Sequence, residues 1–202
     1  MKLHIEETGN RQRPLLVFLH GGGVSGWIWE QQIKAFQEDY HCVIPHLPGH
    51  GKSKESIFSM TACAKQLGHF IQAKAEDKPV FLIGFSLGAQ LTIEIASQYP
   101  ELADGLVLQS PLVLPMPMMR KWLRPMLRLA YPFIRNRTFA KWQAKELYIQ
   151  PRDFERYFRE SQRITYETLL SVMDENMAYS PPANFRHAKL EYSSSPDNVS
   201  ER

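Results

Sequence analysis

Residues 79–90 read Pro79-Val80-Phe81-Leu82-Ile83-Gly84-Phe85-Ser86-Leu87-Gly88-Ala89-Gln90. An apolar, β-rich run stops at Gly-Phe-Ser-Leu-Gly, and Leu91, Ile93, Ile95 and Ala96 continue it in a helical pattern. That order predicts a strand, a sharp turn and a helix, with Ser86 at the turn. Such a turn takes the serine backbone into a region few side chains tolerate. Gly84 and Gly88, lacking a Cβ, let the strand and the helix pass close on either side. The Ser86 hydroxyl would stand above the sheet, and the Leu87 N–H, at a helix N-terminus, could donate to a developing oxyanion. Taken alone, Gly-x-Ser-x-Gly arises by chance in about one chain in fifteen of this length. The plainer explanation would then be a glycine-rich turn with a helix-capping serine, so the reading needs more than this stretch.

Two further stretches supply it. Leu15-Leu16-Val17-Phe18-Leu19-His20-Gly21-Gly22-Gly23 is a second apolar strand opening into a glycine loop, with Trp27 and Trp29 beyond it. A third strand, Cys42-Val43-Ile44, leads into His46-Leu47-Pro48-Gly49-His50-Gly51-Lys52-Ser53. In this order and spacing the three resemble the α/β-hydrolase fold family. Within it they are most similar to the serine hydrolase branch with an H-G oxyanion loop, a P-G-H-G loop and a G-x-S-x-G nucleophile elbow. The likeness is close over about residues 1–111 and loose over 112–190.

The resemblance implies a mostly parallel sheet with flanking helices and a helical cap. It implies Ser86 as nucleophile, with the backbone N–H groups of Gly22 and Leu87 as oxyanion donors. His20 precedes the serine, whereas the family order is Ser, acid, His, so His20 reads as a structural loop histidine. His46 stands where the family usually has aspartate, a departure near the pocket mouth. The run Gly49-His50-Gly51-Lys52-Ser53 echoes the end of a phosphate-binding loop. The G-x-x-x-x-G-K-[ST] spacing fails because position 46 is His, which excludes nucleotide binding on this motif.

The chain has 202 residues, 44% of them apolar and 22% charged, which are the proportions of one ordinary globular domain. A net charge of +3 is too small to argue for nucleic acid. Cys42 and Cys63 form no disulfide framework and no metal spacing, so neither a metal nor another cofactor is expected. The start, Met1-Lys2-Leu3-His4-Ile5-Glu6-Glu7, has no apolar signal core, and no run approaches ~18 apolar residues. A soluble, cytoplasmic protein is the expectation. Residues 2–8 alternate as an edge strand, 27–38 and 59–76 read as helices, and Gly105-Leu106-Val107-Leu108 reads as a fifth strand. Strands alternating with helices argue for a parallel sheet.

Composition shifts after Pro111. Residues 112–145 hold eight Lys or Arg and no acid, interleaved with Met116, Met118, Met119, Trp122, Met126, Phe139 and Trp142. The resemblance places the cap at 112–185, after a core at 1–111, leaving 186–202 as an irregular tail. Most of the Met and aromatic residues read as packing. Trp122 or neighbouring Met residues would line a small acyl pocket, while Arg120, Arg124 and Arg128 face outward. A basic face is most often a solvated one; contact with a membrane surface or an acidic substrate is the minority reading.

The family's acid and histidine, expected after the cap, have no clear counterpart. His187 is the one histidine downstream of Ser86, in a place that reads as structural, and it is a candidate base by chain order alone. Glu191 and Asp197 are candidate carboxylates by elimination. The expectation is therefore a chain shortened by two strands, with a fifth strand left as a sheet edge and with activity impaired. Two function classes stay open. One is a serine-dependent hydrolase of an ester, thioester or similar acyl bond in a small, mainly apolar substrate. The other is a non-catalytic pseudo-hydrolase binding a small apolar ligand or a protein partner.

Overall fold

The computed structural model describes residues 3–54 and 57–187. The first strand, β1 (Ile5–Thr8), is short and half-buried, and β2 (Leu15–Leu19) is buried at every position. A 3₁₀ turn over Gly26–Trp29 leads into α1 (Glu30–Phe36) and then β3 (His41–Pro45), again wholly buried. Next come α2 (Met60–Ala75), β4 (Val80–Phe85), α3 (Leu87–Gln98) and β5 (Gly105–Gln109). Thus the expected helix at 27–38 starts as a 3₁₀ turn, and the edge strand is confined to four residues.

The five strands lie in the order β1-β3-β2-β4-β5, with β1 antiparallel to β3 and the other pairs parallel. Apolar β2 and β3 are what a parallel sheet covered on both faces requires. The pleat divides β2 between two layers. Leu15, Val17 and Leu19 pack with Leu67 and Ile71 of α2 and with Leu91 and Ile95 of α3. Leu16 and Phe18 face the other way, toward Trp29, Cys42, Ile44 and the partly buried Ile33 of α1. From β2 the chain winds to β3 on one side and returns through α2 to β4 on the other. The crevice where the winding direction changes opens beyond the carboxyl ends of β2 and β4, the usual ligand position in such sheets. Among the described residues β5 is the other edge, with Val107 55% exposed.

Beyond β5 the described chain is helical: α4 (Pro117–Ala130), α5 (Arg137–Glu146), α6 (Phe154–Ser161) and α7 (Tyr166–Ala178), then a 3₁₀ turn over Ala183–His187. Asn136 caps α5 through its side chain, which accepts from the N–H groups of Thr138 and Phe139, and Thr165 caps α7. Specific polar contacts fasten this segment to the elements around the sheet. Glu175 accepts from Met60 N–H at 2.7 Å, placing a carboxylate on the N-terminus of α2. Ser171 Oγ donates to Phe58 O at 2.7 Å, and Gln90 Nε2 to Leu112 O at 2.6 Å. The carboxylate of Glu160 accepts from both Ser25 Oγ and Trp27 Nε1 at 2.8 Å, which ties α6 to the chain just after the glycine loop. No helix among the described residues is long and apolar enough to cross a membrane.

Candidate active site

Ser86 occupies the single residue between β4 and α3, with φ 52 and ψ −114. A non-glycine residue at positive φ costs roughly 1–3 kcal/mol and persists only where its surroundings impose it. They do so here: Ser86 N–H donates to Gln109 O at 2.8 Å, and Ser86 O accepts from Ala89 and Gln90 N–H. The close approach is at Gly88, where a Cβ would lie 2.1 Å from Leu19 O. Although Ser86 sits at the N-cap position, its side chain accepts no capping hydrogen bond, so the hydroxyl is not consumed by the helix. That observation separates the turn from an ordinary helix-capping serine.

Half-buried Ser86 opens on a cavity of about 430 Å³ that Gly22, Gly23 and His50 share. Leu87 begins α3, so its N–H is one of those a helix leaves without an internal acceptor. Among the described residues, Gly22 N–H likewise has no protein acceptor. The helical segment supplies the apolar wall, chiefly Trp142 and Leu147 from the α5 end and Leu169, Val172, Met173 and Met177 from α7. This corrects the sequence expectation for Trp122, which is 64% exposed on α4 and absent from the lining. A helix with apolar residues on more than one face does not say which face packs inward. Arg120, Arg124 and Arg128 are exposed, and Arg120 forms a two-point pair with Asp174 at 2.7 and 2.8 Å.

The histidines around the loop are structural in their bonding. Buried His20 donates from Nδ1 to Gly21 O at 2.8 Å and accepts Leu47 N–H on Nε2 at 2.9 Å. Burial, reinforced by the neighbouring His50, pushes its pKa well down despite the bond to Gly21. His50 donates from Nδ1 to Pro48 O at 2.9 Å and accepts Gly23 N–H on Nε2 at 3.1 Å. Its pKa falls to about 4, chiefly through burial. Both rings are thus held as neutral Nδ1–H tautomers. Sequence reasoning missed His50, a second cavity residue whose only signal was its place in the P-G-H-G loop.

His46 binds that loop to the sheet edge. Its Nδ1 accepts Lys52 N–H at 3.1 Å, and its Nε2 lies 3.4 Å from Glu6 Oε1. The only potential metal-binding group among the described residues is His4, Glu6 and His46, whose ligand atoms lie within 4.8 Å of one another. Chemistry disfavours that use. With Nδ1 accepting, the neutral His46 ring keeps its proton on Nε2, where a metal would bind. Lys52 Nζ also holds Glu6 Oε1 at 2.7 Å. Burial raises the Glu6 pKa, but the Lys52 hydrogen bond and the charges of His46, Lys52 and His4 bring it below its ordinary value. Glu6 is thus engaged in an ion pair with Lys52 rather than poised for a metal.

The last proposed site residue, His187, closes the final 3₁₀ turn, and its side chain lies outside the described residues. Glu191 and Asp197 lie outside them as well.

Comparison with known proteins agrees with this geometry. Over 105 residues, 52% of this chain, the sequence is 34% identical to a pimeloyl-[acyl-carrier protein] methyl ester esterase of Vibrio parahaemolyticus, of which it covers 39%. It is 29% identical over 103 residues, 49% of this chain, to a monoacylglycerol lipase of Homo sapiens, of which it covers 31%. The chain therefore spans well under half the length of these relatives. The fold is similar to that of the enol-lactonase from Burkholderia xenovorans, with a TM-score of 0.72 and 14% identity, covering 89% of this chain and 71% of that one. The alpha/beta hydrolase fold profile matches residues 14–173, a span running from the strand before the glycine loop, through the Ser86 turn, into α7. By that match, over most of its length, the chain belongs to the α/β-hydrolase fold family.

Proposed function

We propose that Ser86 is the nucleophile of a serine-dependent hydrolase acting on an ester, thioester or similar acyl bond of a small, mainly apolar substrate. The observation that carries this reading is an uncapped serine hydroxyl on a positive-φ turn, opening on an apolar cavity. In the reaction, Ser86 Oγ attacks the acyl carbon and its proton passes to a base. The carbonyl oxygen becomes an oxyanion, for which Gly22 and Leu87 N–H groups are the donors. The alkoxide or thiolate then leaves as the acyl-enzyme forms, and water releases the acid. Relatives named as esterases and lipases support the reaction class.

The same cavity supports a slow reaction in this chain. Its one histidine among the described residues, His50, has both ring nitrogens engaged. Losing the base of a comparable triad costs about a factor of 10⁶ in turnover. A second reading follows from that observation: a non-catalytic module that keeps the cavity for a small apolar ligand or a protein partner.

A fluorophosphonate probe tests both. Its phosphorus bonds to the serine oxygen and fluoride leaves, a step that needs the base as well as the oxyanion donors. The expected result is slow labelling that disappears in Ser86→Ala. Equal labelling of Ser86→Ala would end the nucleophile reading. Fast labelling abolished by His187→Ala would overturn the slow reading and establish a complete site.

A further inference from the structure

The helix α4 has three faces. Leu123 and Leu127 are buried, and the helix lies against α7. Met118, Trp122, Met126 and Leu129 are 69%, 64%, 59% and 77% exposed. At about 100° per residue these four fall within about 80° of one another, a continuous stripe along the helix. Beside it, on the flank away from the buried face, run Lys121 and Arg128, followed by Arg124 and Arg120. So large an apolar stripe on a soluble surface marks an interaction site more often than chance exposure.

Charge says what kind of partner fits. Residues 112–145 hold eight Lys or Arg and no Asp or Glu, while acidic residues outnumber basic ones in the remainder of the chain. Of those eight, Arg120 pairs with Asp174 and Arg137 with Glu155. Lys121 and Arg128 have no ion-pair partner among the described residues, whereas the charge of Arg124 acts on Asp174.

We propose that the exposed face of α4 docks on an anionic lipid bilayer. The stripe enters the acyl boundary, with Trp122 at the level of the headgroups, and Lys121 and Arg128 meet lipid phosphates along its edge. A nucleic acid would satisfy the cations but leave Met118, Met126 and Leu129 in water. A second copy packed stripe to stripe would bring two rows of cations together. An anionic bilayer satisfies both faces at once.

The test is flotation of the full chain with phosphatidylcholine vesicles, with and without phosphatidylglycerol. Binding is expected only with phosphatidylglycerol, falling as salt rises. Lys121→Gln and Arg128→Gln should each weaken it about fivefold, and the exposed pair Trp122→Ala with Leu129→Ala about tenfold or more. Trp27 and Trp29 are buried and Trp142, 59% exposed, is kept in the variant, so a blue shift of tryptophan emission on vesicle addition that is lost in Trp122→Phe would report insertion of Trp122 itself. Ser86→Ala should bind like the parent, which separates this result from the catalytic reading. Circular dichroism checks that the variants fold. Equal binding to neutral vesicles, variants that bind unchanged, competition by DNA without any tryptophan shift, or a Trp122-dependent dimer that excludes vesicles would each overturn the proposal.

Discussion

The Nε2 of His50 accepts a hydrogen bond from the Gly23 N–H at 3.1 Å, joining two loops 27 residues apart at the mouth of the Ser86 cavity. The other ring nitrogen donates to Pro48 O, so the bond exists only while the ring is neutral.

Stability should therefore fall in mild acid. The His50 pKa drops from 6.5 to about 4 on folding. Between those values the unfolded chain binds a proton that the folded chain refuses, so stability declines as pH falls. The contribution is complete above 6.5 and lost by about 4, on the order of 3 kcal/mol. His20, shifted in the same direction, adds to the decline. Urea midpoints measured from about pH 7 down to about pH 5 should drop, and His50→Gln should flatten the slope. A midpoint that stays level across that range would contradict the buried neutral rings.

Two glycine substitutions should differ sharply. In Gly88→Ala the new Cβ meets the Leu19 carbonyl at 2.1 Å, a backbone atom that cannot move without disturbing the β2–β4 pairing. A loss of about 3–5 kcal/mol is expected. Gly23 has φ 82 with nothing within 4 Å of a Cβ, so Gly23→Ala bears the backbone strain alone, about 1 kcal/mol. Denaturant unfolding of both variants measures the gap, and equal losses would refute it.

Glu160→Ala leaves Ser25 and Trp27, both buried, without their shared acceptor. The expected loss is about 1–3 kcal/mol, with a red shift of Trp27 emission as water enters. Glu160→Gln retains an acceptor and should lose less. Thermal unfolding followed by fluorescence distinguishes the two variants.

Both thiols should be silent in the folded protein. Cys42 and Cys63 are fully buried, and burial raises their pKa values to about 11 and about 12. Ellman's reagent at mildly alkaline pH should find no reactive thiol until denaturant is added, and then two. A thiol titrating in the native state would show that the core opens locally.

Much of the fold was legible because its signals are local. Val80–Phe85 reads as a strand from its own apolar run, and Gly84, Ser86 and Gly88 mark the turn whatever lies around them. The continuous apolar run Leu15–Leu19 and the patterns at 59–76 and 105–108 placed the strands and helices to within a few residues. Helix ends were less sharp, as at Trp27, where the first turn is 3₁₀.

Periodicity and glycine geometry act over a few neighbouring residues, so the succession of strands and helices along the chain through β5, and the position of the serine turn, could be read without the fold. Tertiary structure alone decided what faces that turn. Val172 and Met177 line the cavity while Trp122 lies in the open, although all three sit in apolar helical patterns. Which apolar face packs inward depends on the partner element. The bonds from Ser25 and Trp27 to Glu160, which reach across 135 and 133 residues, leave no local trace. The same holds for His50: a histidine in a loop is equally a base, a ligand or a brace. The bonds to Gly23 and Pro48, brought close only by folding, make it a brace.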